Sequence, residues 1–330
     1  MPINFRFSGH ETFPCRYAWL PKAYAALNEN ERLFSDEDNA MVRLGVGKNM
    51  VRAIRFWAQL AGVSEILPNQ RGYRVTPFGH AILSDYGFDP YFEDIRTLWL
   101  LHWKFSAHTK EPMFAWYFLL NQWPHPELSR PEVLRAFRAE AEKQERPLSD
   151  VTLEQHFDTF LHTYIPTRGR KGEVLEDNLD CPLTELRLLL TVSERTIDGR
   201  REAIYAFRRE DKPDITPTLL AYCIADFWRW QRPNETTLSF QEVAVAPGSV
   251  GQIFKIPEPD LRDRLETLQA DSGGLLDYQA SAATPRLVRN YEIGDEQAEA
   301  ELLASVYERP ANDYFATQTA QEQVPLCLLN

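Results

Sequence analysis

Between Arg168 and Asp180 the chain sets three cations, Arg168, Arg170 and Lys171, ahead of four acids, Glu173, Glu176, Asp177 and Asp180. Such a mixture suits phosphoryl chemistry. Cutting a phosphodiester needs an activated water, charge stabilisation on the phosphoryl oxygens and help for the leaving oxygen, commonly through carboxylate-held metal ions. In that role the cations would hold phosphate, while Glu176 and Asp180, with Asp177 beside them, would supply the oxygen donors that magnesium prefers. The order of these residues matches no two-strand nuclease pattern. A solvated loop ending in helix-capping acids, with Asp180 capping the helix that follows Pro182, accounts for the same residues and is the simpler account.

A second group with chemical potential is Ser8-Gly9-His10-Glu11-Thr12, where His10 could act as a base and Glu11 as its orienter. Adjacent side chains on an extended segment point to opposite faces, so a hydrogen bond within the fold or a contact to phosphate competes with that role for His10. The remaining histidines of the interior, His102, His108, His156 and His162, show no metal-ligand spacing and read as structural or surface groups. Gly45-Val46-Gly47-Lys48 lacks the glycine spacing of a nucleotide phosphate loop, so ATP chemistry is not expected of this chain. The cysteines Cys15, Cys181, Cys223 and Cys327 are scattered, without a CxxC pair, and read as reduced thiols.

The elements that would position such groups on a substrate centre on Met41 to Leu83. Leu44-Gly45-Val46-Gly47 places a tight turn between a short helix and a longer one. In the longer helix Val51, Ile54, Ala58 and Ala61 share one side, while Lys48, Arg52, Arg55 and Gln59 share the other. Gly62 stops it, and Glu65-Ile66-Leu67, Pro68 to Gly72 and Tyr73-Arg74-Val75 read as strand, turn and strand before a helix at Thr76-Pro77. This order predicts a winged helix-turn-helix that binds double-stranded DNA, with Lys48, Asn49, Arg52 and Arg55 facing the major groove and Arg71 and Arg74 on the wing. The competing account makes the same arginines ordinary surface ion pairs on a protein-contact module.

Around that segment the composition predicts a mainly α protein. Hydrophobic residues make up 44% of 330 and charged residues 25%, values of an ordinary globular chain. No apolar run approaches a bilayer span and the start carries no secretory signal, so a cytoplasmic location without a membrane partner is expected. The net charge of −12 is unevenly spread: Arg43 to Arg74 is basic, whereas Asp295 to Glu322 is acidic. The expected organisation is a winged-helix domain over 1–89, a helical middle over 90–232, a second winged-helix-like unit over 233–292 and an acidic tail over 293–330. In the third unit Lys255, Arg262 and Arg264 alternate with Glu258, Asp260, Asp263 and Glu266, which favours docking of partners or of a second copy of the chain, as a homodimer.

Several motifs in fixed order resemble the bacterial SspB family of single-strand DNA phosphorothioation systems. They are Phe7-Ser8-Gly9-His10-Glu11-Thr12-Phe13, Leu44 to Val51, Asp89-Pro90-Tyr91, Thr97 to His102, Glu176 to Leu183 and Pro247-Gly248-Ser249-Val250-Gly251. Cys15 and Val250 depart from the pattern, where an aliphatic residue and an uninterrupted Ser-Pro-Gly are expected. The resemblance implies a DNA-nicking endonuclease of a pathway that replaces a backbone oxygen by sulfur in antiphage defence. It implies as partners a cysteine desulfurase, an ATPase and an ATP-pyrophosphatase-like protein. The alternative is a non-catalytic DNA-binding adaptor that recruits the sulfur-transfer machinery.

Overall fold

The computed structural model describes residues 3–68, 71–143, 148–166, 181–281 and 284–322. The mainly α expectation holds. The chain begins with an extended segment that reaches helix α1 (Trp19–Glu29), then α2 (Glu37–Leu44) and α3 (Lys48–Leu60). Asp36 caps α2 by accepting from the Asn39 N–H, and Gly45 ends it in the left-handed region at φ 67°, a conformation glycine adopts without strain. An antiparallel hairpin follows, β1 (Ser64–Ile66) and β2 (Tyr73–Val75), with Ser64 opposite Val75. Thr76 then caps α4 (Pro77–Leu83) through the Gly79 N–H. Trp19, Leu20, Leu27, Phe34, Leu44, Val51, Ile54, Trp57 and Val63 form the core beneath these elements.

Helix α5 (Ile95–Ser106) is buried from Thr97 onward, as expected of a helix with neighbours on every side. The Asp89-Pro90-Tyr91 motif prepares its start, since the Asp89 carboxylate accepts from the Glu93 and Asp94 N–H groups at 2.9 and 3.1 Å. Two sets of its buried polar groups are matched across the fold, whereas the Trp99 indole N–H has no partner among the described residues. His102 lies between the Tyr164 hydroxyl at 2.8 Å and the Ile253 carbonyl at 3.0 Å. Lys104 and the Trp103 indole N–H both donate to Asp226, at 3.1 and 2.8 Å.

Helix α6 (Phe114–Tyr117) runs into a wider turn over Phe118–Gln122, and then the expected helical middle departs from expectation. Strand β3 (Glu127–Ser129), helices α7 (Arg130–Ala141) and α8 (Asp150–Tyr164), and a long hairpin of β4 (Leu189–Ile197) and β5 (Arg200–Phe207) build a sheet in the order β3-β5-β4. The hairpin turns at Asp198-Gly199, both at positive φ, the turn geometry that matches strand twist.

After α9 (Pro217–Gln231) the same plan recurs. Strand β6 (Thr237–Ser239) leads to α10 (Phe240–Val245), α11 (Val250–Ile253), α12 (Glu258–Leu265) and α13 (Leu268–Asp271), then to β7 (Leu276–Gln279) and β8 (Arg286–Arg289), ordered β6-β8-β7. In both sheets the strand before the helices pairs with the last strand of the hairpin. The acidic stretch beyond Glu292 is not a solvated tail up to residue 322. It forms α14 (Glu296–Val306) and α15 (Ala311–Glu322), which bury Leu302, Leu303, Val306 and Tyr314 against α9 and α4. The acids lie on the outer face, and Arg229 of α9 meets Glu299 at 2.7 Å.

Candidate nucleic-acid interface

Helix α3 divides by face. Val51, Ala53, Ile54, Trp57 and Ala58 are buried, Lys48 and Asn49 are exposed, and Arg52, Arg55 and Gln59 are half-buried with their polar ends outward. The turn into it has few alternatives: the N–H groups of Gly45 and Val46 both donate to the Met41 carbonyl, at 3.0 and 3.2 Å, and Gly47 serves as the α3 N-cap. Arg71 and Arg74 are exposed on the neighbouring hairpin.

These cations are not equally free. Glu37, in the first turn of α2, accepts from Arg52 Nε and Nη2 at 2.8 and 3.3 Å and pairs with Lys48 Nζ at 2.9 Å. The Arg52 hydrogen bond first, and that of Lys48 second, hold the Glu37 carboxyl well below the usual carboxylate range. Arg74 is paired with Glu65 across the hairpin at 2.6 Å, and Arg43 with Glu29. Arg55 and Arg71 have no ion pair among the described residues, and Asn49 has its amide exposed.

The Ser8 to Phe13 segment, 40 residues away in sequence from α3, lies directly against it. Gly9, at φ 112°, presses on the Phe56 ring so closely that a Cβ would stand 2.4 Å from its Cδ2. The Trp57 indole N–H donates to the Phe13 carbonyl at 3.0 Å. Arg52 is held charged first by Glu37 and further by the nearby charge of Glu11. A segment read as a source of catalytic groups therefore also sets the pose of α3.

His10 itself is 3% exposed and faces inward. The Thr12 N–H donates to its Nδ1 at 3.1 Å, which leaves the proton on Nε2, and that group lies 2.9 Å from Nδ1 of His156 on α8. The two rings stack at 10° among Phe7, Phe56, Phe114 and Trp116. Burial pushes the His10 pKa down to about 4 and that of His156 well below its usual value. The pair is neutral at neutral pH and lies away from solvent, with both His10 ring nitrogens engaged by Thr12 and His156.

Glu176, Asp177, Asp180, Arg168, Arg170, Lys171 and Glu173 lie outside the described residues. Among the described residues no group of three or more His, Cys, Asp or Glu side chains is placed to hold a metal ion. No described helix is long and apolar enough to cross a membrane. Two participants escaped sequence reasoning, Glu37 and His156. Each meets its partners from another element, and neither spacing has a local signature.

No curated protein matches the chain in sequence. Among solved structures, one described as "Magnesium ion-bound SspB crystal structure" is similar at 27% identity and a TM-score of 0.77, covering 97% of this chain and 95% of that one. A second, described as "SspB crystal structure", is similar at 25% identity and a TM-score of 0.76 with the same coverage. A family model described as "Protein of unknown function (DUF4007)" matches residues 7–307. The chain thus belongs to the DUF4007 family, and its likeness to SspB structures runs through nearly its whole length.

Proposed function

We propose that the protein is a DNA-nicking endonuclease acting in backbone phosphorothioate modification and antiphage defence, with residues 1–89 serving as a winged helix that holds double-stranded DNA. The observation that carries this reading is the two-faced α3. Its apolar side is anchored in the core, and its outer side offers Lys48, Asn49, Arg52 and Arg55 beside a hairpin bearing Arg71 and Arg74. A helix presented in this way can enter the major groove while hairpin arginines reach the phosphate backbone. The likeness to SspB supports the phosphorothioation setting, in which a cysteine desulfurase, an ATPase and an ATP-pyrophosphatase-like protein are the proposed partners in the cytoplasm.

One relative is described as magnesium-bound, and magnesium is the proposed cofactor. The described residues offer no donor set that fits it. Its proposed ligands are Glu176 and Asp180, with Asp177 alongside and Arg168, Arg170 and Lys171 holding phosphate. His10, buried and bonded to His156, takes a positioning role beneath α3 instead of contacting the scissile phosphate.

The alternative reading is a non-catalytic DNA-binding adaptor. In that reading the unit over 233–292 docks the sulfur-transfer proteins or a second copy of the chain. Incubating supercoiled plasmid with the purified full chain, with and without magnesium, separates the two. Magnesium-dependent open circles, lost in Glu176→Ala and Asp180→Ala variants that still bind duplex, support the nickase. Salt-sensitive binding with intact plasmid under every condition supports the adaptor.

A further inference from the structure

The least satisfied charged group in the described structure is Arg208, where β5 ends. Its backbone N–H donates to the Leu188 carbonyl at 2.8 Å, which fixes the residue at the foot of the β4–β5 hairpin. The guanidinium Nε and Nη2 are both cut off from solvent, yet neither has a hydrogen-bond partner among the described residues, and Arg208 enters no ion pair there. The residue as a whole is half-buried, so an anion that reaches Nε and Nη2 enters by displacing the side chains that cover them. A guanidinium cannot shed its proton to escape such a site, and a buried charge without an acceptor is costly.

Its surroundings sharpen the imbalance. Lys212 is buried and donates only to the carbonyls of Glu210 and Lys255, at 3.1 and 3.2 Å. Lys255 is buried too; its ammonium donates to the Leu120 carbonyl and stands 4.9 Å over the ring of Phe207, the residue before Arg208. Neither ammonium has a carboxylate partner among the described residues. Asp211 and Asp260, the acids that could serve, are both engaged by Arg264, at 2.9 and 2.8 Å. Burial first, then the repulsion of Arg208, lowers the Lys212 pKa to about 8; burial first, then Arg209, lowers that of Lys255 to about 7. Among the described residues, positive charge gathers here without a matching carboxylate.

We propose that Arg208, with Arg209, Lys212 and Lys255 behind it, is an anion seat for a phosphate-type oxyanion. A tetrahedral oxyanion presents two acceptors to the planar guanidinium fork and supplies the missing counter-charge. The seat uses no residue of the α3 face and stands independently of the DNA reading. A free phosphate and a nucleic-acid phosphodiester share this chemistry, and the experiment below distinguishes them.

The full-length protein is melted in sodium phosphate and in sodium chloride of equal ionic strength. For a dissociation constant of about 1 mM and about 10 mM phosphate, Tm rises by about 2 °C over the chloride value. Arg208→Gln removes that gain without lowering Tm in chloride, because the substitution also removes an unpaired buried charge. Arg209→Gln, an exposed change compatible with folding, reduces the gain. No phosphate-specific rise in the wild type, or an equal rise in wild type and both variants, overturns the proposal. Titration of a labelled duplex then identifies the source. A salt slope shallower by about 1 in Arg208→Gln marks a backbone phosphate, and an unchanged slope beside lost phosphate stabilisation marks a free anion.

Discussion

Glu37 neutralises two of the cations proposed to hold DNA, so its removal should strengthen binding. In Glu37→Gln the carboxylate that engages Arg52 at 2.8 and 3.3 Å and Lys48 at 2.9 Å becomes a neutral amide, and both cations are released toward solvent. The three side chains are partly exposed, at 28% for Glu37, 37% for Arg52 and 56% for Lys48, so the fold does not depend on the cluster. Each cation that gains a phosphate steepens the plot of log K against log salt by about 0.9 and raises affinity about 8-fold at 0.1 M salt. One new contact therefore gives about an 8-fold gain, and two give about a 60-fold gain with a slope steeper by about 1.8. Fluorescence anisotropy of a labelled duplex from about 50 to 200 mM potassium chloride reads both quantities. Equal or weaker binding with an unchanged slope, in a variant whose circular dichroism and melting match the wild type, would refute the reasoning. It would mean that this face of α3 does not meet phosphate.

Two further expectations concern the interior. His102 is fully buried, and burial lowers its pKa to about 4, below the unfolded value near 6.5. The stability of its neutral form is complete above about pH 6.5 and declines as pH falls toward 4, by about 3 kcal/mol in total. Urea midpoints across that range should fall in the wild type and fall less in His102→Gln, the remaining slope coming from buried histidines such as His10 and His156, and an equal fall in both proteins would contradict the assignment. Asp226 is 2% exposed; burial raises its pKa, but the charges of Lys104 and Arg229 outweigh this and hold it far below the carboxylate range. Asp226→Ala strands Lys104, while Arg229 keeps Glu299, and should cost about 3–5 kcal/mol in chemical denaturation, part of it recovered by adding Lys104→Met; a loss under about 1 kcal/mol would show that the pair contributes little.

Helix α3 was legible because apolar residues recur every three or four positions along one side while Lys48, Arg52 and Arg55 share the other, a signal contained within the helix itself. The β4–β5 hairpin was legible in principle from Asp198-Gly199 between Val, Thr, Ile and Tyr residues, but the aromatic helices around it dominate the composition of that region. Acidic residues masked α14, whose Leu302, Leu303 and Val306 form an inward stripe that a charge count does not register. The His10–His156 bond spans 146 residues and was beyond any local rule. It joins a base-like histidine to a second buried imidazole, a partner that the neighbouring carboxylate in the sequence does not announce. The Arg208 site was equally hidden, because what distinguishes it is a partner that is missing.

Helix α15 packs on α4, and the Gln318 side-chain amide donates to the Pro77 carbonyl at 3.0 Å across 241 residues. On a ribosome α4 emerges first and waits for its covering helix. At about 5–20 residues per second the interval is about ten to fifty seconds, longer than the folding time of most small domains. Nascent chains of this protein therefore carry an uncovered patch on α4 throughout that interval. Helix α4 is thus completed only once α15 has been made, which suits it as a client for a chaperone at the exit tunnel.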